Sequence, residues 1–213
     1  METLMLYCER THAGLGAEPL NAISNVAFFL AAGAAWRAAR KLNRVGASVR
    51  WLVAVMVAIG IGSTLFHTFA TNWARVLDLT PILIFQLSFL WLYGRRVIGW
   101  GAWASGALLV GFVAAAYAAG REFPHLLNRS LLYAPGFLCN LGLGIYHAYV
   151  RKAGRFLMLA AAGVLTLALF FRTVDRAVCA SFPLGTHFLW HLLIPLVLYL
   201  AVRALLPNMP ERS

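Results

Sequence analysis

Five residues carry the chemistry this chain could perform: His67, His187, His191, Ser63 and Asp78. His187 and His191 stand at i and i+4. On a helix that spacing stacks their side chains on one face with Cβ atoms about 5–6 Å apart, which suits two imidazoles on one zinc ion. His67 would bring a third nitrogen from another segment. Three protein ligands plus a water is the open arrangement of catalytic zinc. Ser63 precedes His67 by one helical turn and so faces the same space. Each residue also has an ordinary reading. A histidine near a helix end can be interfacial, Asp78 can complement a helix dipole, and Ser63 after Gly60-Ile61-Gly62 can belong to a small-residue packing face.

The elements that must position these residues follow from composition. Hydrophobic residues make up 62% of the 213 residues, against roughly 45–50% in an ordinary globular domain. Charged residues are 12% and the mean hydropathy is +0.76. These values exclude a disordered chain, a disulfide-stapled secreted scaffold and a typical soluble enzyme, and leave an integral membrane protein. The net charge of +11 does not point to nucleic acid, because the basic residues sit in short clusters between apolar runs. No cleavable signal peptide is evident: Glu2 and Glu9 stand where a basic n-region would be.

A bilayer core needs about 20 apolar residues in a helix. Seven such runs are predicted, at roughly 20–36, 51–70, 76–94, 97–120, 130–150, 156–171 and 182–202. The expected fold is an all-α membrane protein, a bundle of seven transmembrane helices. It forms one domain over 1–213, with 1–19 as an outer N-terminal segment. Arg37, Arg40, Lys41, Arg44, Arg50, Arg95, Arg96, Arg151, Lys152, Arg155, Arg203 and Arg212 fall on one side. Arg10, Arg75, Arg121, Arg129, Arg172 and Arg176 fall on the other. The positive-inside rule then places the N-terminus outside and the C-terminus in the cytoplasm.

Glu2, Glu9, Glu18, Asp78, Glu122 and Asp175 lie on the outer side, and Glu211 lies inside. A metal or catalytic site at the outer end would account for that clustering. An ionisable group within a span costs roughly 2.5–3.5 kcal/mol on insertion scales and is a functional candidate by default. By span direction, His67 falls at an outer end, Asp78 in a first turn, and His187 and His191 in an outer half, so all four converge at one depth. His147 reads as interfacial beside Arg151, His12 and His125 as loop residues without a role, and Asp175 as a loop salt bridge to Arg172 or Arg176.

Five ordered segments give the chain a family resemblance: Tyr7-Cys8-Glu9-Arg10, 18–25 (EPLNAISN), 60–67 (GIGSTLFH), Asp78-Leu79-Thr80-Pro81 and 187–191 (HFLWH). Together they resemble the alkaline ceramidase family, part of a superfamily of seven-helix membrane hydrolases that includes the adiponectin and progestin receptors. The chain looks like a short bacterial-type member. The resemblance implies that His67, His187 and His191 bind zinc and that Ser63 and Asp78 are catalytic. It also implies a calcium site near the first helix, with Glu9 and Glu18 matching two of its carboxylates. This sequence departs there: Leu6-Tyr7 replaces the family's Asp-Trp, Thr11 replaces an Asn, and the spacing from Glu9 to Glu18 is shorter. Two expectations stay open at Glu9 and Glu18: a calcium site, or contacts to Arg10 and a cap on the first helix.

The expected function is a zinc-dependent intramembrane hydrolase that cleaves the amide bond of an N-acyl, ceramide-like membrane lipid. An ester remains open as the scissile bond, as does the oligomeric state. The rival reading is a heptahelical receptor or sensor with structural zinc. A retinal pump is rejected, because Lys41 and Lys152, the only lysines, lie in inner loops. An intramembrane serine protease needs only one histidine, and a transporter has nothing beyond the span count in its favour. Cys8 and Cys179 both lie on the outer side, oxidising if this is a bacterial inner membrane. The resemblance implies a bridge between them, with Cys139 reduced in the fifth span.

Overall fold

The structure, a computed structural model, describes residues 3–209. Glu2, Glu211 and Arg212, which entered the charge reading, lie outside the described residues. The fold is all-α. A short helix α1 (Pro19–Ser24) runs through Asn25 into α2 (Val26–Lys41). Then come α3 (Ala47–Phe69), α4 (Asn72–Tyr93), α5 (Ala102–Glu122), α6 (Ala134–Tyr149), α7 (Leu157–Val174) and α8 (His187–Leu205). Among the described residues, with α1 and α2 taken as one rod, seven helices form the bundle. Six of them are long and apolar enough to cross a membrane.

The exception is α6. Its 16 residues span only about 24 Å at 1.5 Å per residue, short of a hydrocarbon core of about 30 Å. The apolar run predicted at 130–150 starts earlier because Leu131, Leu132 and Tyr133 carry the apolar pattern back beyond the start of α6. Leu126–Tyr133 is a 3₁₀ segment broken by Leu127, Asn128 and Arg129 in the left-handed region, with φ of 52°, 51° and 64°.

Small residues set how closely the helices approach. Ala32, Ala35 and Ala39 of α2, Ala161 and Ala168 of α7, and Ala201 and Ala204 of α8 are all buried. Without a hydrophobic driving force between helices in lipid, such contacts gain from close van der Waals packing. Larger side chains, among them Leu52, Met56, Ile59, Tyr93 and Met158, fill the centre. By contrast, α5 buries only Ser105 and Phe112, and its Trp103 is 93% exposed. The C-terminal end of α3, the N-terminal ends of α4 and α8, and α1 all lie at one end of the bundle, where the candidate residues are.

Candidate metal centre

Two proline and glycine positions bring α3 and α4 together at the site. Pro81 lies inside α4 and has no N–H to give the carbonyl four residues back, which is Leu77. Gly62 of α3 faces that carbonyl, and a β-carbon there would overlap the Leu77 oxygen. On α3's other flank a β-carbon at Gly60 would come within 2.9 Å of Phe28 Cβ on α2. The packing reading of the glycine pair therefore holds for both glycines, and it sets where Ser63 stands. Because Gly62 lets α4 come this close, the next residue, Ser63, lies beside the Asp78 carboxylate. Asp78 does not sit in a first turn, since α4 begins at Asn72. The dipole account of it is weakened accordingly.

His67, His187 and His191 meet beside this pair, all buried. Each offers a ring nitrogen within 4.8 Å of those of the other two. The ring centroids are 5.2 Å apart for His67 and His187, 4.5 Å for His67 and His191, and 4.6 Å for His187 and His191. His67 is in the last turn of α3, and His187 is the first residue of α8. Residues 182–186, expected as helix, form the turn that leads into it.

The hydrogen bonds around the rings decide which nitrogens are left. His67 Nδ1 lies 2.5 Å from Glu18 Oε2. Ser24 Oγ donates to the Asn21 carbonyl at 2.8 Å, so the 2.9 Å contact between Ser24 Oγ and His191 Nδ1 has the histidine as donor. His67 and His191 thus keep Nε2 as an acceptor. His187 Nδ1 is buried with no hydrogen-bond partner among the described residues. Tyr7 stacks on the His187 ring at 3.6 Å and 11°. An orphaned buried ring nitrogen costs about 1–3 kcal/mol, and a cation among the three imidazoles removes that cost. Carboxylate and hydroxyl partners behind metal histidines are the usual way such rings are oriented. The donor set therefore fits a metal ion of the zinc class.

The N-terminal segment is tied over this end of the bundle. Leu4 N donates to Ala70 O at 2.7 Å in the α3–α4 turn. Cys8 and Cys179 form a disulfide. Asp175 Oδ1 accepts the amides of Thr186 and His187 at 2.7 and 2.9 Å, and Oδ2 accepts that of Cys8 at 3.1 Å. Asp175 therefore caps α8, the better use of a buried carboxylate near a helix N-terminus, and the loop salt bridge expected from Arg172 and Arg176 is not its role. Those arginines turn instead to Ser130 Oγ and to Met5 O. The Arg172 guanidinium is stacked over Tyr133 and Trp190. Burial raises the Tyr7 hydroxyl above its ordinary range, so Tyr7 stays neutral against His187.

Glu9 and Glu18 are both spoken for by protein donors. Glu9 accepts the amides of Leu20 and Asn21 at 2.6 and 2.8 Å, capping α1. Glu18 pairs with Arg10, His67 and Asn21. Burial alone would raise the Glu18 carboxyl. The hydrogen bond from His67, with the donors of Arg10 and Asn21, holds it below its ordinary value. Calcium takes six to eight oxygens, and a buried guanidinium among these oxygens does not fit one.

His147, expected at an interface, is fully buried at the opposite end of the bundle. Tyr93 Oη donates to its Nδ1 at 2.6 Å, and its Nε2 donates to Ala153 O at 3.0 Å. Reading the sequence missed Ser24, Glu18 as a histidine partner, Asp175 as a cap, and Tyr7. The run Glu18 to Asn25, with its four polar residues spaced three and four apart, was the available signal for the first two.

No curated protein sequence matches the chain significantly. A family profile does: that of Ceramidase matches residues 4–206, a range that takes in the N-terminal tie, all the histidines and the Ser63–Asp78 pair. A helical membrane bundle with a histidine triad able to hold a metal, matched over nearly its whole length, belongs to the Ceramidase family, whose members are hydrolases of lipid amides.

Proposed function

We propose that this protein is a zinc-dependent amidase that cleaves an N-acyl, ceramide-like lipid within the membrane to a free fatty acid and an amine. The donor set carries the reading: three buried imidazoles, two oriented from behind and one with an orphaned nitrogen, beside a serine–aspartate pair. An apolar cavity of about 80 Å³ supports it. Ile59, Ile82, Phe85, Trp190 and Ile194 line it, one turn inward from Ser63, Asp78 and His191. Ile82, Gln86, Phe112 and Tyr133 also line a groove of about 330 Å³ between α4 and α5, a path by which an acyl chain enters from the bilayer.

His67, His187 and His191 would hold the zinc, which when bound brings a water's pKa to about 7 and polarises a carbonyl. Asp78 takes the proton of the attacking water as the C–O bond forms at the amide carbon. It returns that proton to the leaving nitrogen as the C–N bond breaks. Ser63 donates its O–H to the oxyanion, a donor worth roughly 3–4 kcal/mol in other hydrolases. Tyr133 and Trp190 wall the cavity on the acyl side.

The basic asymmetry supports an outside N-terminus and a cytoplasmic C-terminus in a bacterial inner membrane. The site would then open to the periplasmic side. The test is elemental analysis of the purified protein alongside fatty-acid release from N-acyl lipids in liposomes. One zinc per chain with amide turnover is expected. Zinc without hydrolysis of any N-acyl lipid or lipid ester would favour a receptor or sensor with structural zinc.

A further inference from the structure

We propose that Arg10 occupies the place a divalent cation would take beside the metal centre, and that the protein is therefore independent of calcium. The Arg10 side chain is 0% exposed. Its three donor nitrogens each reach an oxygen: Nε donates to Glu18 Oε1, Nη1 to Gly14 O at 3.0 Å and Nη2 to His67 O at 2.9 Å. A carboxylate and two carbonyls converging on one positive group is the ligand chemistry of a hard cation. Here a guanidinium meets it with fixed N–H directions.

The position matters because of what Arg10 holds. Glu18 spends one oxygen on Arg10 and the other on His67 Nδ1 and Asn21 Nδ2. The same guanidinium grips the His67 carbonyl. Arg10 thus fixes His67 from two directions, through its ring partner and through its backbone, and joins residues 10–18 to the end of α3. Arg10 is a positioning residue that acts through Glu18. If Arg10 is shortened, Glu18 Oε1, Gly14 O and His67 O lose their donor. The Asn21 Oδ1 beside them already has none among the described residues. What remains is an oxygen-only set with a buried negative charge, which a calcium ion can satisfy.

The effect on zinc rests on the metal reading above, but the calcium response does not, so the two are measured separately. Thermal unfolding is followed in detergent on metal-stripped wild type, Arg10→Ala and Arg10→Lys, in EGTA and in millimolar calcium. Wild type is expected to melt at the same temperature in both. Arg10→Ala is expected to melt lower in EGTA and to recover several degrees in calcium. Arg10→Lys keeps the charge without the fork and falls between them. Zinc affinity, by competition with a chromophoric chelator, is expected to drop about 10–100-fold in Arg10→Ala, the usual cost of removing a partner behind a metal ligand. Calcium is expected to recover part of that loss. A wild-type protein stabilised by calcium, or destabilised by EGTA, overturns the proposal. So does an Arg10→Ala protein that folds and ignores calcium. If Arg10→Ala does not fold, the wild-type EGTA arm and Arg10→Lys still decide it. Zinc binding by no variant, wild type included, would defeat the metal reading and leave the calcium arm standing.

Discussion

The two flanks of the bundle are built differently. On one, α2, α3, α7 and α8 are packed through alanines and glycines, and α8 alone buries ten residues. On the other, α5 buries two and stands over a groove against α4. The histidines sit on the close-packed flank, and the cavity lies between the two. Groups that must be held to a few tenths of an ångström belong on elements that cannot shift. A route for a flexible chain belongs where helices make few contacts and side chains can give way.

The sharpest way to break this contrast is to empty the rigid flank. The double variant His187→Ala, His191→Ala should lose its zinc by elemental analysis, with fatty-acid release falling to background. Full zinc retention would remove the metal reading altogether. Next in size is Asp78→Asn, which keeps shape and loses the base. Turnover should fall roughly 10²-fold or more with zinc retained. Ser63→Ala should fall less if a water replaces the hydroxyl. Wild-type turnover in Asp78→Asn would refute its role.

The glycines sharpen the comparison without touching the chemistry. At Gly62 an added methyl meets the Leu77 carbonyl. Gly62→Ala should lose about 1–3 kcal/mol, the usual penalty for overpacking, and lose activity as Ser63 moves from Asp78. At Gly111 in α5 a methyl meets nothing within 4 Å. Gly111→Ala should stay within about 1 kcal/mol, on the favourable side through helix propensity. Equal melting temperatures for the two would mean that the flanks do not differ. A specificity effect belongs to Phe112→Ala, where the α5 flank meets the cavity. It should change acyl-length preference a few-fold, read as kcat/KM across a chain-length series, with zinc content unchanged.

How much of this could be read beforehand depended on periodicity. The spans, their common depth and the i, i+4 histidines are regular features, so the meeting of the three histidines was legible from spacing. The 3₁₀ entry to α6 was not, because the apolar Leu131, Leu132 and Tyr133 run straight into the helix, while the break lies in the backbone sign at 127–129. The partners behind the histidines were hidden for another reason. Glu18 finds His67 49 positions away and Ser24 finds His191 at 167; no local pattern encodes such pairs. Asp175 misled because its near neighbours are arginines, while the amides it caps lie 11 and 12 residues on. Pro81 and Gly62 lie between these cases. Each is visible as a residue type, but their meeting at one carbonyl is visible only in the fold.

The disulfide also sets an order of events in biosynthesis. Cys8 and Cys179 are 171 residues apart, so the ribosome needs roughly 10–35 s at about 5–20 residues per second to deliver the second thiol after the first. Helices α1 to α7 are made in that interval, and only α8 remains. The bridge therefore closes late, on a bundle nearly complete, and its formation marks chains whose N-terminal segment has met the turn before α8. A chain in which those two segments do not meet would stay reduced.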